Sequence, residues 1–119
     1  MKIIIAGPRN YTNKEFVFSH LDNILILYEG VYDEIEIVEG GAKGVDSFAK
    51  EYAQKKGYRH KQFVADWEKQ GRAAGTIRNK EMAEYGDVLI AFYNGSPGTS
   101  NMIKNALEKK LNIHIVQCK

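Results

Sequence analysis

The chain has 119 residues, of which 44% are hydrophobic and 27% charged, a composition that is typical of one folded domain (residues 1–119) and excludes a disordered chain. Seventeen basic and fifteen acidic residues are interspersed, and this net charge of +2 argues against a protein that binds the nucleic-acid backbone. A single cysteine, no signal-peptide pattern and no long apolar run predict a cytoplasmic protein without a membrane span. The three histidines and Cys118 have no metal-ligand spacing, so we expect no metal.

The first part of the chain predicts a buried strand followed by an amphipathic helix. Residues 2–6 form an apolar run that Gly7-Pro8 ends. Thr12 and Glu15 have the spacing of a capping box, after which apolar residues recur at helical spacing until Gly30.

The same strand and helix unit repeats along the rest of the chain. The further predicted strands are 35–38, 58–65, 87–92 and 113–116, and the further predicted helices run from 45 to Gly57, from 72 to 85 and from about 98 to 110. The strand 58–65 is the most polar, which is typical of a sheet edge. Five strands alternating with four helices predict an α/β fold, a Rossmann-like three-layer α/β/α architecture with a five-stranded, mainly parallel sheet.

Small and polar residues follow the predicted strands at the edge where parallel sheets bind ligands. Two turns, 39–44 and 94–100, lie between a strand and a helix, where backbone N–H groups and the helix dipole attract anions. This arrangement predicts a ligand that carries phosphate. The candidate ligand-binding residues are Gly7, Arg9, Gly40, Gly41, Lys43, Gly44, Asp46, Asp66, Trp67, Arg78, Asn79, Gly95, Ser96, Pro97, Gly98 and Thr99.

Each candidate also has a purely structural interpretation. An arginine such as Arg78 can fork onto a phosphate or pair with a carboxylate. Asp46 can bind a ribose hydroxyl or simply stabilise the start of its helix. Trp67 can stack on a base or cover the edge of the core. Ser96 and Thr99 can face a ligand or cap their helix, and the glycines can serve only to turn the chain.

Five motifs in order resemble a known family over nearly the whole chain. They are Ile3 to Arg9, Val38 to Asp46, Ala65 to Trp67, Ala74 to Asn79 with Met82, and Asp87 to Phe92 followed by Gly95 to Thr99. The sequence resembles the YspA-like branch of the SLOG superfamily, the Rossmann-like group that contains DprA and the LOG enzymes. The resemblance implies binding of a nucleotide or nucleotide-derived small molecule, often in a dimer or higher assembly, and requires no cofactor.

The resemblance also bears on catalysis. LOG-type phosphoribohydrolases carry a Pro-Gly-Gly-x-Gly-Thr-x-x-Glu motif whose glutamate acts on the ribose. The matching position here is Met102, and a thioether can neither accept a proton nor stabilise an oxocarbenium ion. We therefore expect a protein that binds without catalysis. Met102 also lies on an apolar helical stripe, which favours a place in the core.

Three functions follow from these expectations. The first is non-catalytic sensing or sequestration of a phosphorylated nucleotide signal, such as a cyclic oligonucleotide or an NAD-derived nucleotide, by a phage anti-defence sponge in the host cytoplasm. The second is a nucleotide N-glycosidase or phosphoribohydrolase that uses Asp46, Asp66 or Glu39. The third is a DprA-like nucleic-acid-binding accessory protein, which the modest charge disfavours. Surplus apolar residues on the first helix, Phe16, Phe18 and Ile26, predict a homo-oligomer.

Overall fold

A computed structural model describes all 119 residues and contains one parallel sheet with helices on both faces. The strands are β1 (Lys2–Ala6), β2 (Glu36–Glu39), β3 (Arg59–Gln62), β4 (Val88–Tyr93) and β5 (Asn112–Gln117). The helices are α1 (Lys14–Glu29), α2 (Val45–Lys56), α3 (Trp67–Gln70), α4 (Ala74–Tyr85) and α5 (Pro97–Glu108), and a 3-10 turn, Gly71–Ala73, joins α3 to α4. The strand order is β3-β2-β1-β4-β5, which confirms the predicted Rossmann-like fold. No helix is both long and apolar enough to cross a membrane.

Two hydrophobic clusters cover the two faces of the sheet. Because side chains alternate along a strand, Ile3 and Ile5 of β1 face the cluster beneath α1 and α2, whereas Ile4 faces the cluster beneath α4 and α5. The interior strand β4 is buried on both faces, as its continuous apolar sequence predicts. The sheet is thus a rigid platform whose carboxyl edge holds the loops.

Several predicted boundaries are wrong. The cap of α1 is Asn13, whose Oδ1 accepts the Phe16 N–H at 3.0 Å, and not Thr12. The predicted strand 58–65 shortens to β3, because its partner β2 has only four residues and the last ladder bond is Phe63 N–H to Glu39 O at 2.9 Å.

The short helix α3 was not predicted. Asp66 caps it, since its Oδ1 accepts the Lys69 N–H at 3.1 Å. Helix α5 begins at Pro97 instead of residue 98, because the fixed φ of proline suits the first helical position, where no N–H is needed.

Candidate functional site

A cleft of about 630 Å³ lies beyond the carboxyl ends of β1 and β4, where the strand order reverses. Its walls come from the β1–α1 loop, the start of α2, one face of α4 and the first turn of α5. This volume lies within the range of small-molecule sites, and the position is where parallel α/β sheets bind ligands.

The structure brings ten of the sixteen candidate residues together around this cleft. They are Gly7, Arg9, Asp46, Trp67, Arg78, Asn79, Ser96, Pro97, Gly98 and Thr99. The other six, Gly40, Gly41, Lys43, Gly44, Asp66 and Gly95, do not line it. Asp66 instead caps α3, which is one of the structural roles that a strand-end aspartate can take.

The first turn of α5 presents free backbone donors to the cleft. The Ser96 N–H donates to Asn94 Oδ1 at 3.2 Å, and Pro97 has no N–H. The amides of Gly98 and Thr99 have no acceptor within the protein, as first-turn amides lack intrahelical partners. The Ser96 hydroxyl makes no backbone cap and bonds instead to Thr99 Oγ1 at 2.9 Å. Ser96 thus occupies the N-cap position of α5 without capping the first turn through its hydroxyl, and this helix end is open to an anion.

The glycine turn after β2, in contrast, bonds some of its amides within the protein. The Gly41 N–H donates to Glu39 Oε1 at 2.5 Å, and the Ala42 N–H donates to Asp46 Oδ2 at 3.2 Å. The Val45 N–H, at the start of α2, donates to the Pro8 carbonyl at 3.3 Å. The turn thus packs the second strand-end loop against the first and offers few free donors of its own.

Two glycines of this turn lie in close contact with other parts of the chain. Gly44 has a φ of +72° and lies directly against the backbone of Pro8 and Arg9. At Gly40, a Cβ would lie 2.7 Å from Nη1 of Arg78. The turning and packing interpretation therefore accounts for both residues.

Glu39 is held away from the cleft by its own partners. Its side chain is buried, and its Oε2 lies 2.7 Å from His60 Nε2 and accepts the Gln62 Nε2–H at 2.8 Å. With Gly41 N–H on its other oxygen, Glu39 joins β2 to the edge strand β3. It is not available to act on a ligand in the cleft.

Asp46 is the only acidic side chain on the cleft wall. It is 6% exposed, and burial raises its pKa to about 6, partly opposed by the Ala42 N–H. Glu39 raises this pKa further, whereas Arg78 lowers it. A buried carboxyl group that titrates near neutral pH in a cleft is typical of functional sites.

Arg78 and Asn79 join the cleft walls. Arg78 Nη1 donates to the Gly40 carbonyl at 2.5 Å, and its Nε donates to Asn79 Oδ1 at 3.1 Å. Asn79, which is 4% exposed, donates through Nδ2 to the Gly98 carbonyl at 3.2 Å and to Asn101 Oδ1 at 3.0 Å. Asn79 thus fixes the first turn of α5 against α4 and is a positioning residue.

Two other arginines are free to meet a ligand. Arg9 and Arg72 are exposed, line the cleft and have no ion pair or hydrogen-bond partner for their guanidinium groups. Trp67 stands at the rim with 53% of its surface exposed, and its ring lies over Gly75. The cleft therefore combines positive charge, free amides and an aromatic surface.

The sequence prediction missed several cleft residues, including Asn10, Arg72, Thr76 and Asn101. Arg72 was placed at the start of a helix, and only the unpredicted α3 and the 3-10 turn bring it to the rim. Asn101 is one helical turn beyond Pro97, so the position of the α5 first turn was the available signal.

Met102 lies at the floor of the cleft and in the core at once. It is 1% exposed and belongs to the cluster beneath α4 and α5, which confirms its predicted core position. No carboxylate stands at this point of the cleft wall, since Asp46 is the only one present.

Two solved structures have the same fold. DNA processing protein A (DprA) from Streptococcus pneumoniae is similar over 99% of this chain and 50% of its own, with a TM-score of 0.77 and 16% identity. This chain thus spans half the length of that protein. The structural-genomics target TM1055 is similar over 94% of this chain and 71% of its own, with a TM-score of 0.69 and 16% identity.

Two sequence comparisons identify the family. The gene 61 protein of Mycobacterium phage D29 is 34% identical over 114 residues, which cover 88% of this chain and 87% of the phage protein. The sequence model of the YspA, cpYpsA-related SLOG family matches residues 1–70, which contain β1, α1, β2, α2, β3 and α3. The chain therefore belongs to the YspA, cpYpsA-related SLOG family and has its nucleotide-binding fold.

Proposed function

We propose that the cleft binds a phosphorylated nucleotide or nucleotide-derived signal and holds it without cleaving it. The observation that carries this proposal is the open first turn of α5, whose Gly98 and Thr99 amides share a cleft with the unpaired side chains of Arg9 and Arg72. Free amides at the start of a helix and guanidinium groups are two kinds of donor that commonly bind phosphate in proteins. Trp67 at the rim supplies a surface on which a base can stack.

The composition of the cleft favours retention of the ligand over hydrolysis. N-glycosidic cleavage requires a carboxylate beside the ribose. At the position where LOG enzymes have their glutamate, the buried side chain of Met102 fills the wall. The cleft thus has groups that can bind a nucleotide, but no group at the Met102 position that could stabilise the transition state of N-glycosidic cleavage.

We propose further that the bound molecule is a signal that this protein senses or sequesters. A protein that binds a nucleotide and leaves it intact can act only by lowering its free concentration or by reporting it. The phage origin of a 34% identical relative supports sequestration in the host cytoplasm, where withdrawing a nucleotide signal would block an antiviral response.

One observation favours an enzyme as the second candidate. Asp46 is a buried carboxyl group on the cleft wall with a pKa of about 6, which suits a general acid. Asp66 and Glu39, the other two carboxylates considered, lie off the cleft wall and have structural partners. An N-glycosidase would therefore depend on Asp46 alone.

A single experiment separates these two functions. The protein is incubated with mono-, di- and cyclic nucleotides, denatured, and the recovered compounds are analysed by chromatography. Intact ligand recovered from the protein supports the binding proposal. Free base or ribose phosphate, produced by the wild type and lost in Asp46→Asn, would establish the enzyme instead.

We also propose a homo-oligomer, but not all the residues from which the sequence predicted it are exposed in the structure. Phe16 and Phe18 are half-buried and pack edge-on against Phe92 and Tyr52 within the chain, so they are not surplus. The exposed apolar residues at the end of α1 are Ile26, Leu27, Val31 and Tyr32, with 68%, 60%, 71% and 43% of their surfaces exposed. Several large apolar residues exposed close together along the chain are typical of a subunit contact.

A further inference from the structure

A second cavity, of about 540 Å³, opens beside the cleft on the other side of the sheet. It is lined by residues 10–13, Phe16, Asn94 and residues 117–119. Asn10 lines both cavities. The turn after β4 also connects them, because Asn94 in the second cavity accepts the N–H of Ser96 in the cleft at 3.2 Å. The two cavities are therefore neighbours at Asn10 and at the turn after β4.

The polar groups of the second cavity are mainly amides. The side chains of Asn10 and Gln117 are exposed and have no partner within the protein, and Asn94 uses only its Oδ1. A primary amide presents a donor beside an acceptor, the pattern that pairs with the edge of a nucleobase. The cavity has no acidic side chain, so it does not repel a phosphorylated ligand.

Aromatic side chains form the remaining wall. The rings of Tyr11 and Phe16 meet edge-on with centroids 6.1 Å apart, and Phe16 is supported from below by the buried Phe92. This wall is rigid and apolar, and flat bases bind to aromatic surfaces. Amides beside aromatic rings suit a nucleoside better than a second phosphate.

The two cavities lie over different faces of the sheet. The cleft lies over the α4 and α5 layer, where Met82 and Met102 form its floor, and the second cavity lies over the α1 layer, which contains Phe16. The cleft itself lies where the strand order reverses, the point at which parallel sheets bind dinucleotides. The free first turn of α5 lines the cleft, and the residue before it, Ser96, is bonded to Asn94 of the second cavity.

We propose that the second cavity binds the second nucleoside of a ligand in which two nucleosides are joined through phosphate. The phosphate lies at the first turn of α5, one nucleoside faces Trp67, and the other enters the amide cavity past Asn10. This inference rests on the proposed function, since it names the class of ligand for the same cleft.

The test compares one-nucleoside and two-nucleoside probes by isothermal titration calorimetry. The probes are AMP and GMP on one side, and NAD, cyclic di-AMP and cyclic di-GMP on the other. The variant is Gln117→Ala, an exposed position whose loss leaves the core intact, and the matched control is Gln54→Ala on the exposed face of α2. Circular dichroism melting checks that both variants are folded.

We expect at least one two-nucleoside probe to bind at least about tenfold more tightly than its mononucleotide. Gln117→Ala should weaken that probe about five- to tenfold, the effect of one lost hydrogen bond, and leave the mononucleotide unchanged. If both probe classes bind equally tightly and Gln117→Ala has no effect, the second cavity is not a nucleoside site, and the proposed function is unaffected. Failure of every nucleotide to bind would overturn both proposals.

Discussion

Replacing Asp46 by asparagine should stabilise the protein at neutral pH. Burial raises the pKa of Asp46 from its ordinary value of 3.8 to about 6. Between these two values the folded protein retains a proton that the unfolded chain has released, so the free energy of unfolding falls as pH rises through this window. The full loss above pH 6 is about 3 kcal/mol, which an uncharged asparagine avoids while it still accepts the Ala42 N–H.

For a domain of this size, an unfolding entropy of about 0.25 kcal/mol/K converts this gain to a rise in Tm of up to about 12 °C. Urea unfolding followed by circular dichroism at pH 7.5 and pH 4 measures the effect. At pH 4 the gain should be about 2 kcal/mol smaller, because Asp46 is then protonated in the folded protein. The control is Asp33→Asn, at an exposed carboxylate without an ion pair.

The reasoning is refuted if Asp46→Asn gives no stabilisation at pH 7.5, or gives the same stabilisation at both pH values. Either result would mean that the folded protein carries the Asp46 charge without penalty. If the gain is observed, the wild type keeps a destabilising carboxylate in its cleft, as proteins do where a group serves function.

Three further predictions concern the cleft and the surface. Arg9→Ala should weaken nucleotide binding, measured by calorimetry, by about 1.5 to 3 kcal/mol and leave the Tm unchanged. Arg78→Ala should lower both the affinity and the Tm, because its guanidinium group also donates to the Gly40 carbonyl. Unchanged affinity in both variants would mean that the ligand binds elsewhere. Asn79→Ala should lower the free energy of unfolding in urea by about 1 to 3 kcal/mol, because the Asn101 side-chain oxygen and the Gly98 carbonyl lose their donor. An unaltered unfolding midpoint would contradict the positioning role of Asn79. If the end of α1 is a subunit contact, Leu27→Lys should reduce the molar mass of the protein in solution, measured by light scattering. An equal mass for variant and wild type would place the contact elsewhere.

Local signals were sufficient for the architecture and for the strand-end position of the cleft. Apolar runs located four of the strands and apolar periodicity located four of the five helices, because these elements bury apolar side chains whatever lies against them; the polar strand β3 was predicted from the repeat of the strand and helix unit. The short α3 escaped notice, since four residues are too few to show a period. The boundary of β3 was also wrong, because a strand ends where its partner ends, and that partner is distant in sequence.

The same limit applies to the site. The two turns that the sequence predicts to bind anions are alike in sequence, yet they differ in the structure. The Gly98 and Thr99 amides before α5 have no acceptor and line the cleft. The Gly41, Ala42 and Val45 amides before α2 bond instead to Glu39, Asp46 and the Pro8 carbonyl. Arg72 reaches the rim through a helix that the sequence did not reveal.

The sequence by itself determined the fold class, the edge of the sheet that bears the candidate site, and the presence of an apolar residue, Met102, on the helix that follows β4. These properties depend on residue type and on short-range spacing. Only the tertiary structure decided which amides remain free, which carboxylates are already bonded, and that Asp46 is buried with a raised pKa. They depend on contacts between loops far apart along the chain, and the free energy of a polar group is set by the partners and the solvent that the folded chain leaves to it.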